Sequence, residues 1–351
     1  MPITQGFDPE KHKQKAILFH QMHSPSEPLV LLNAWDATSA RIFEQQGAKA
    51  IATTSAGIAA SHGYSDGQLI PKKDLIKAVK CIINSVDIPV TVDLEAGYGK
   101  NLQEIRDTVY QILRMGAVGI NIEDADPEHP ECLFSIPEQM EKIKAIRALA
   151  KELDVPLFIN ARTDVFWLKL QATPEECLPE TLTRLKAYKE AGADGVFVPG
   201  LTDPALISDI VKNIELPLNL LVGPWLKEKN TLKSLGVSRV TTGSAVVRDV
   251  TNHLKKIANK FIKEENYTCL DPTVSYNEFN NLFSLKSIAK EEPKPHIEDA
   301  VKNHGETQLG SGFFNNITAS PQVNITQHGN VNNENLATDI DSASLPKNTL
   351  P

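Results

Sequence analysis

Short apolar runs rich in β-branched residues recur along most of the chain, at 29–33, 49–54, 88–93, 118–122, 156–161, 195–198, 217–222 and 238–242. Each is too short for a helix and carries apolar residues on both faces, as strands buried on both sides do. Between them the spacing becomes helical: Leu75, Ile76, Val79, Ile82 and Ile83 form one apolar face. Ile105, Val109, Ile112 and Leu113 form another, and Met140, Ile143, Ile146 and Leu149 a third. Gly47, Gly116, Gly192 and Gly236 end helical stretches, while Pro89, Pro156 and Pro217 open strands, where a missing N–H does least harm. Eight strand–helix units in roughly 250 residues predict a (β/α)8 TIM-type barrel. The competing fold, an open doubly wound sheet, would carry a Gly-x-Gly-x-x-Gly loop after its first strand, and none is present.

On such a barrel, chemistry gathers at the carboxyl ends of the strands. Those ends carry Trp35 and Asp36, then Thr53, Thr54 and Ser55, then Asp93 and Glu95, Glu123 and Asp124, and Asn160 and Arg162. Strands six and seven end in Pro199-Gly200 and Gly223-Pro224, without charge. Alternation along a strand would put Asp93 and Glu95 on one side. Two such acids with no basic residue in the run repel one another unless a cation lies between them. Hard oxygen ligands suit Mg²⁺ or Mn²⁺. The plainer alternative is a pair of solvated loop acids that help start the next helix, although Asn101 already stands at its N-cap. Arg162 beside this cluster suits a two-pronged grip on a small anionic substrate. It could instead pair with Glu123 or Asp164.

Five segments then fall in register with a known family. They are 33–41 (Asn-Ala-Trp-Asp-Ala-Thr-Ser-Ala-Arg), 53–59 (Thr-Thr-Ser-Ala-Gly-Ile-Ala), the acidic stretch 92–99, 119–124 (Gly-Ile-Asn-Ile-Glu-Asp) and 160–164 (Asn-Ala-Arg-Thr-Asp). Together they resemble the isocitrate lyase/phosphoenolpyruvate mutase family, from about residue 15 to the segment 275–283. The resemblance implies a barrel whose last helix is swapped between subunits, usually in a homotetramer. It also implies Mg²⁺-dependent cleavage or formation of a C–C or P–C bond next to a 2-oxo acid. Under it, Asp93 is the direct metal ligand, with Glu95, Glu123 and Asp66 as further acids of the metal site. Asp66 on its own reads as part of an ordinary Asp-Gly turn. Thr54, Ser55 and Ala56 match the turn that holds the substrate carboxylate and oxyanion, and Arg162, with Asn160, matches the substrate-binding positions. Thr54 replaces a usual Ser there, and Ser55 a usual Gly.

The loop after strand four departs from the family. Isocitrate and methylisocitrate lyases carry Lys-Cys-Gly-His there, whereas residues 126–134 read Asp-Pro-Glu-His-Pro-Glu-Cys-Leu-Phe. Cys132, flanked by Glu131 and without the Lys and His that would activate it, reads as a bystander, with His129 out of pattern. The gating loop of the phosphonate-processing members is missing too. His62, after strand two, reads as an exposed loop residue. The expected function is a lyase acting on a small carboxylate such as oxaloacetate or methylisocitrate. A phosphonopyruvate-type mutase or hydrolase is the alternative, and a non-catalytic ligand- or partner-binding barrel the alternative of another class. A Schiff-base aldolase would need a strand-end Lys, which none of the eight ends supplies.

Composition narrows the setting. Hydrophobic residues make up 41% of the 351, enough for a large core. A net charge of −8 and the lack of a basic stripe argue against nucleic acid as a partner. No run is long enough to span a membrane and the start lacks a signal-peptide pattern, so a cytoplasmic enzyme is expected. Cys81, Cys132, Cys177 and Cys269 are scattered and read as reduced thiols. The catalytic domain is expected over 1–286, followed over 287–351 by a stretch rich in Asn, Ser, Thr and Gln that has too little apolar surface to offset its ordering entropy. A chain stopped at Lys286 is therefore expected to keep its melting temperature and oligomeric state. Scanning calorimetry and sedimentation test this, and a large loss of stability would show that the tail packs on the barrel.

Overall fold

The computed structural model describes residues 8–270 and 274–288, with side chains as far as Phe283. Eight parallel strands close into a barrel in sequence order: β1 (Leu29–Ala34), β2 (Ile51–Thr53), β3 (Val90–Asp93), β4 (Gly119–Glu123), β5 (Phe158–Arg162), β6 (Gly195–Phe197), β7 (Leu218–Leu221) and β8 (Arg239–Thr241). Strand β8 pairs with β1 through Leu29↔Arg239 and Leu31↔Thr241, which leaves no sheet edge. Every strand lies at its expected place, within one or two residues at each end. The 287–351 tail lies outside the described residues except for its first two.

The outer helices follow the same order: α2 (Ala37–Gln45), α3 (Ser55–Ser61) and α4 (Lys72–Ser85), α5 (Leu102–Arg114), α6 (Ile136–Glu152), α7 (Pro174–Ala191), α8 (Pro204–Ile214), α9 (Lys229–Ser234) and α10 (Ala245–Ile262). Asn101 caps α5 by accepting from the Glu104 N–H, and the expected face of Ile105, Val109, Ile112 and Leu113 is buried. Ser135 and Glu138 close a reciprocal capping box on α6. Helix α7 ends on Gly192 at φ 104°, where a Cβ would be strained, and the chain turns directly into β6.

One element has no counterpart in the apolar spacing. Helix α1 (Pro9–Gln21) is mostly polar, and it docks through histidine side chains as well as an apolar face. His12 Nε2 lies 2.7 Å from the Ala117 carbonyl, and His20 Nε2 lies 3.0 Å from that of Pro156. The helix brings Phe19 into a floor cluster with Leu29, Leu31, Ala50, Val118 and Phe158. His23 stacks on the Phe158 ring at 3.9 Å and 14°. Small residues make room for these rings: a Cβ on Gly195 would come 2.8 Å from Phe158, and one on Gly119 2.9 Å from Phe19. A ring from β5 and a ring from α1 thus each pack against a strand glycine, as close packing in a narrow barrel requires. The last helix, α11 (Tyr276–Ile288), returns to α2, where Arg41 Nε donates to the Leu282 carbonyl at 2.7 Å.

Phe158→Ala would leave a void that the rigid strands cannot fill. A loss of about 3–5 kcal/mol is expected, read from the midpoint of a urea titration. A loss below about 1 kcal/mol would mean that the floor repacks freely.

Candidate active site

Alternate residues of β4 and β5 line the lumen, ending at the mouth in Glu123 and Arg162, which are paired in register. Arg162 Nη1 lies 2.8 Å from Glu123 Oε2. Its Nε and Nη2 donate to the two oxygens of Asp164 at 2.6 and 2.8 Å. Both ion-pair alternatives raised by the sequence are therefore realised at once. By donor count, one N–H on each terminal nitrogen remains for a substrate. Burial works against charge on Arg162, but Glu123 and Asp164 more than offset it and keep the guanidinium firmly protonated.

Asp93 ends β3 and is buried. Its Oδ2 accepts from the Ser55 N–H at 3.2 Å, while Oδ1 is enclosed and has no hydrogen-bond partner. Buried carboxylate oxygens are rarely left this way in a folded protein. Asp66, in the turn after α3, stands by the Ser55 hydroxyl, and burial with the nearby Asp93 raises its carboxyl above the usual range. Burial also raises Glu123 well above that range, with Asp164 and Asp93 adding to the effect.

Glu95 differs from the expectation that it shares a strand face with Asp93. Strand β3 stops at Asp93, and Glu95 adopts φ 48° in the left-handed region. Its carboxylate reaches back into the turn after α3. One oxygen accepts from the N–H groups of Gly67 and Gln68 at 2.9 and 2.7 Å, and the other from the Tyr98 hydroxyl. Gln68 Oε1 in turn accepts from the Tyr98 N–H at 2.6 Å. Gln68, Glu95 and Tyr98 all have positive φ, so three locally strained residues stabilise one another. Burial pushes the Glu95 carboxyl up to about 7. Glu95 is thus a loop anchor within electrostatic range of Asp93 and Asp66 rather than a second strand-end acid. Among the described residues, no three acidic, His or Cys side chains form a preassembled metal cluster.

The turn after β2 is also more occupied than its motif implies. Thr54 is the N-cap of α3, its hydroxyl facing the Gly57 N–H at 3.4 Å, and the Ser55 N–H points to Asp93. Ala56 lies in the first helical turn, where donors lack an intrahelical acceptor. Asn160 sits one layer below the mouth, its Nδ2 donating to Asn121 Oδ1 at 2.8 Å while its own Oδ1 is unpartnered. Asp124 is structural: wholly buried, it accepts from Tyr188 at 2.6 Å, from the Asp164 N–H at 3.0 Å and from Arg184 at 3.3 Å. Asp36 caps α2. Cys132 is exposed in a tight loop closed by the Ala125↔Leu133 bridge, where His129 pairs with Asp126 at 2.9 Å. His62 caps the far end of α3. The strand-end pattern gave no sign of two further residues: Tyr98, which holds Glu95, and Arg239, which is buried in the lumen.

The closed barrel agrees with what the chain is similar to. Residues 19–262 match the phosphoenolpyruvate phosphomutase family, and the chain belongs to it. An uncharacterised protein of Mycobacterium tuberculosis is 38% identical over 226 residues, covering 64% of this chain and 81% of that protein. The 2,3-dimethylmalate lyase of Eubacterium barkeri is 27% identical over 79% of this chain and 96% of its own length. Among solved structures, one described as a phosphonomutase of Burkholderia cenocepacia superposes with a TM-score of 0.67 at 38% identity, covering 70% of this chain and 99% of its own. A phosphonopyruvate hydrolase solved with oxalate and Mg²⁺ shares the fold, with a TM-score of 0.68 at 23% identity, over 78% of this chain and 96% of its own. The chain is thus a member of a superfamily of lyases and mutases.

Behind the site, Lys142 of α6 is buried with no hydrogen bond to Nζ, which lies 3.2 Å from the centre of the Phe134 ring as a cation–π contact. Burial lowers its pKa to about 8. Below pH 8 both folded and unfolded chains carry the charge, and the burial penalty is present in full. Between 8 and the ordinary 10.5 the folded state sheds a proton that the unfolded state keeps, so this penalty fades as pH rises. Lys142→Met is expected to raise stability by about 1–3 kcal/mol at pH 7, with the gain gone near pH 10.5. Melting curves across that range check both the size and the window.

Proposed function

We propose that this protein is a Mg²⁺-dependent lyase (Mn²⁺ serving as a substitute) that breaks a C–C bond of a small carboxylate such as oxaloacetate or methylisocitrate, leaving a 2-oxo acid as one product and passing through an enolate. The observation that carries this is Asp93 Oδ1, a buried and unpartnered carboxylate oxygen at a barrel mouth where three further acids, Glu123, Glu95 and Asp66, lie within electrostatic range of it. Such a donor set fits a hard divalent cation. Asp93 would hold it directly, with Glu95, Glu123 and Asp66 as the further acids of the metal site. Bound there, such an ion would supply positive charge against the negative charge that bond cleavage leaves.

The chain's own groups supply binding and orientation. The two remaining N–H groups of Arg162 grip a substrate carboxylate end-on, and the Ala56 N–H lies in the turn beside Asp93. Asn160 supports this layer from below. Ser55 fixes the Asp93 carboxylate, and Thr54 fixes the turn that carries Ser55. Held this way, the breaking bond lies against the electron-accepting carbonyl, and less of the barrier remains for chemistry. The loop after β4 offers an exposed thiol with no base paired to it, which favours departing groups that need no proton from that loop, such as carbon dioxide. Cleavage or rearrangement of a P–C bond, as in phosphonopyruvate-type enzymes, is the second reading, supported by the 38% identical phosphonomutase-like structure.

A homo-oligomer of cytoplasmic location, a tetramer by resemblance, completes the reading. Helix α10 buries none of its residues, yet Val247, Val250, Leu254, Ile257 and Phe261 recur at coiled-coil spacing, with Val250 and Leu254 exposed. A second copy that receives this helix would cover the stripe.

Release of pyruvate or glyoxylate from oxaloacetate, methylisocitrate, isocitrate and phosphonopyruvate, each with Mg²⁺, tests the function. Asp93→Ala is expected to abolish Mg²⁺ binding and activity while keeping the fold; undiminished Mg²⁺ affinity would overturn the metal assignment. Arg162→Lys should lower turnover by about two to three orders of magnitude, because a point charge cannot replace a planar guanidinium held by two acids. Cys132→Ser should change it less than about tenfold. If Cys132→Ser proves the more damaging, the reaction is that of the tricarboxylate lyases and the loop thiol is its proton donor.

A further inference from the structure

The lumen below the acid cluster contains a charge that the mouth does not account for. Arg239, the first residue of β8, is 1% exposed, and its side chain crosses the barrel to β4, where Nη2 lies 3.4 Å from Asn121 Oδ1. Its Nε and Nη1 have no partner, and among the described residues no carboxylate lies within ion-pair distance of it. A guanidinium does not shed its proton as a buried lysine can. The charge therefore stays, and leaving it uncompensated would be costly. Asp93 above and His23 below are near enough to interact with it electrostatically.

The neighbours complement its unmet donors. Asp93 Oδ1, Asn160 Oδ1, Thr91 Oγ1 and His23 Nε2 are buried and unpartnered. His23 Nδ1 faces the Phe19 carbonyl at 2.8 Å, so the proton belongs on Nδ1 and Nε2 is an acceptor. Spare donors on one residue and spare acceptors on the residues around it are the pattern that buried water satisfies, accepting from the first and donating to the second.

We propose that Arg239 is a positioning residue of this site: a fixed cation below Asp93, linked to it through buried water, that supplies positive field for an anionic substrate or enolate. This rests on the function proposed above and extends it. Asp93, Asp66, Glu95, Glu123 and Asp164 outnumber Arg162, so even a divalent ion leaves the mouth short of positive charge when a dianion arrives. Arg239 is the next cation inward. Its field repels a metal ion at Asp93 and attracts an anion bound there, so losing it moves the two affinities in opposite directions. A distorted barrel would weaken both.

The test uses the full-length chain, with isothermal titration of Mg²⁺ and then of oxalate into the Mg²⁺-saturated protein. Arg239→Met keeps the side chain's length without its charge, and Arg239→Gln keeps hydrogen bonding without charge should the first variant fold poorly. Each is expected to bind Mg²⁺ about three- to tenfold more tightly and oxalate about tenfold more weakly. Arg239→Lys is expected to restore both to within about threefold of the parent. Affinities that fall together, or that do not move, would overturn the proposal and make Arg239 a packing residue. A parent chain that binds neither Mg²⁺ nor oxalate would instead overturn the proposed function, and this inference with it.

Discussion

Negative charge packed around one guanidinium is the constraint from which the mouth of this barrel is built. Glu123 and Asp164 both lean on Arg162, and Asp93 lies close by. Bringing so many acids out of water is unfavourable unless each has a partner. The surrounding structure supplies those partners one at a time. Asp93 takes the Ser55 N–H, Glu95 takes two N–H groups and a hydroxyl, and Asp164 takes both prongs of the guanidinium. Among the acids of the described residues, only Asp93 Oδ1 and Glu123 Oε2 are buried without a hydrogen bond, and Glu123 Oε2 has its ion pair with Arg162, so the oxygen of Asp93 is the informative one.

The same arrangement explains the strained loops. Gln68, Glu95 and Tyr98 would each cost about 1–3 kcal/mol if strained alone, but they close a hydrogen-bonded circuit between the turn after α3 and the turn after β3. Each strained residue holds the next. The circuit fixes the two loops that carry Asp66 and Glu95, so the backbone around Asp93 is set before any ligand arrives. Such preorganisation avoids reorganisation during reaction.

The regular part of the fold was legible because it depends on periodicity: bilateral burial of parallel strands and one-sided burial of their helices leave different spacings. Helix α1 was not, since histidine–carbonyl bonds hold much of it and leave little apolar pattern. At the candidate site, the strand-end positions of the residues were legible but the directions of their side chains were not. Alternation predicted Glu95 beside Asp93, yet it fails one residue past the strand end, where a left-handed turn takes over. Arg162 could be picked out as the cation of the cluster, but how its donors divide between substrate and acids depends on Asp164 two residues on, whose orientation no spacing encodes. Arg239 gave no signal because a strand arginine next to a serine reads as an edge residue in water. Only barrel closure puts it inside.

The far end of the barrel matters to the mouth for the same reason. A polar layer of Asn121, Asn160, Thr91 and Arg239 is effective only if bulk water stays out, since charges act over longer distances where solvent cannot screen them. The floor rings of Phe19 and Phe158, with His23 stacked on the latter, seal the lumen from below. Burial holds His23 neutral, lowering its pKa to about 3, with Arg239 adding to the effect, so the seal brings no competing charge. Helix α1, the element least visible in the sequence, is thus part of the electrostatics of a site at the opposite end of the barrel.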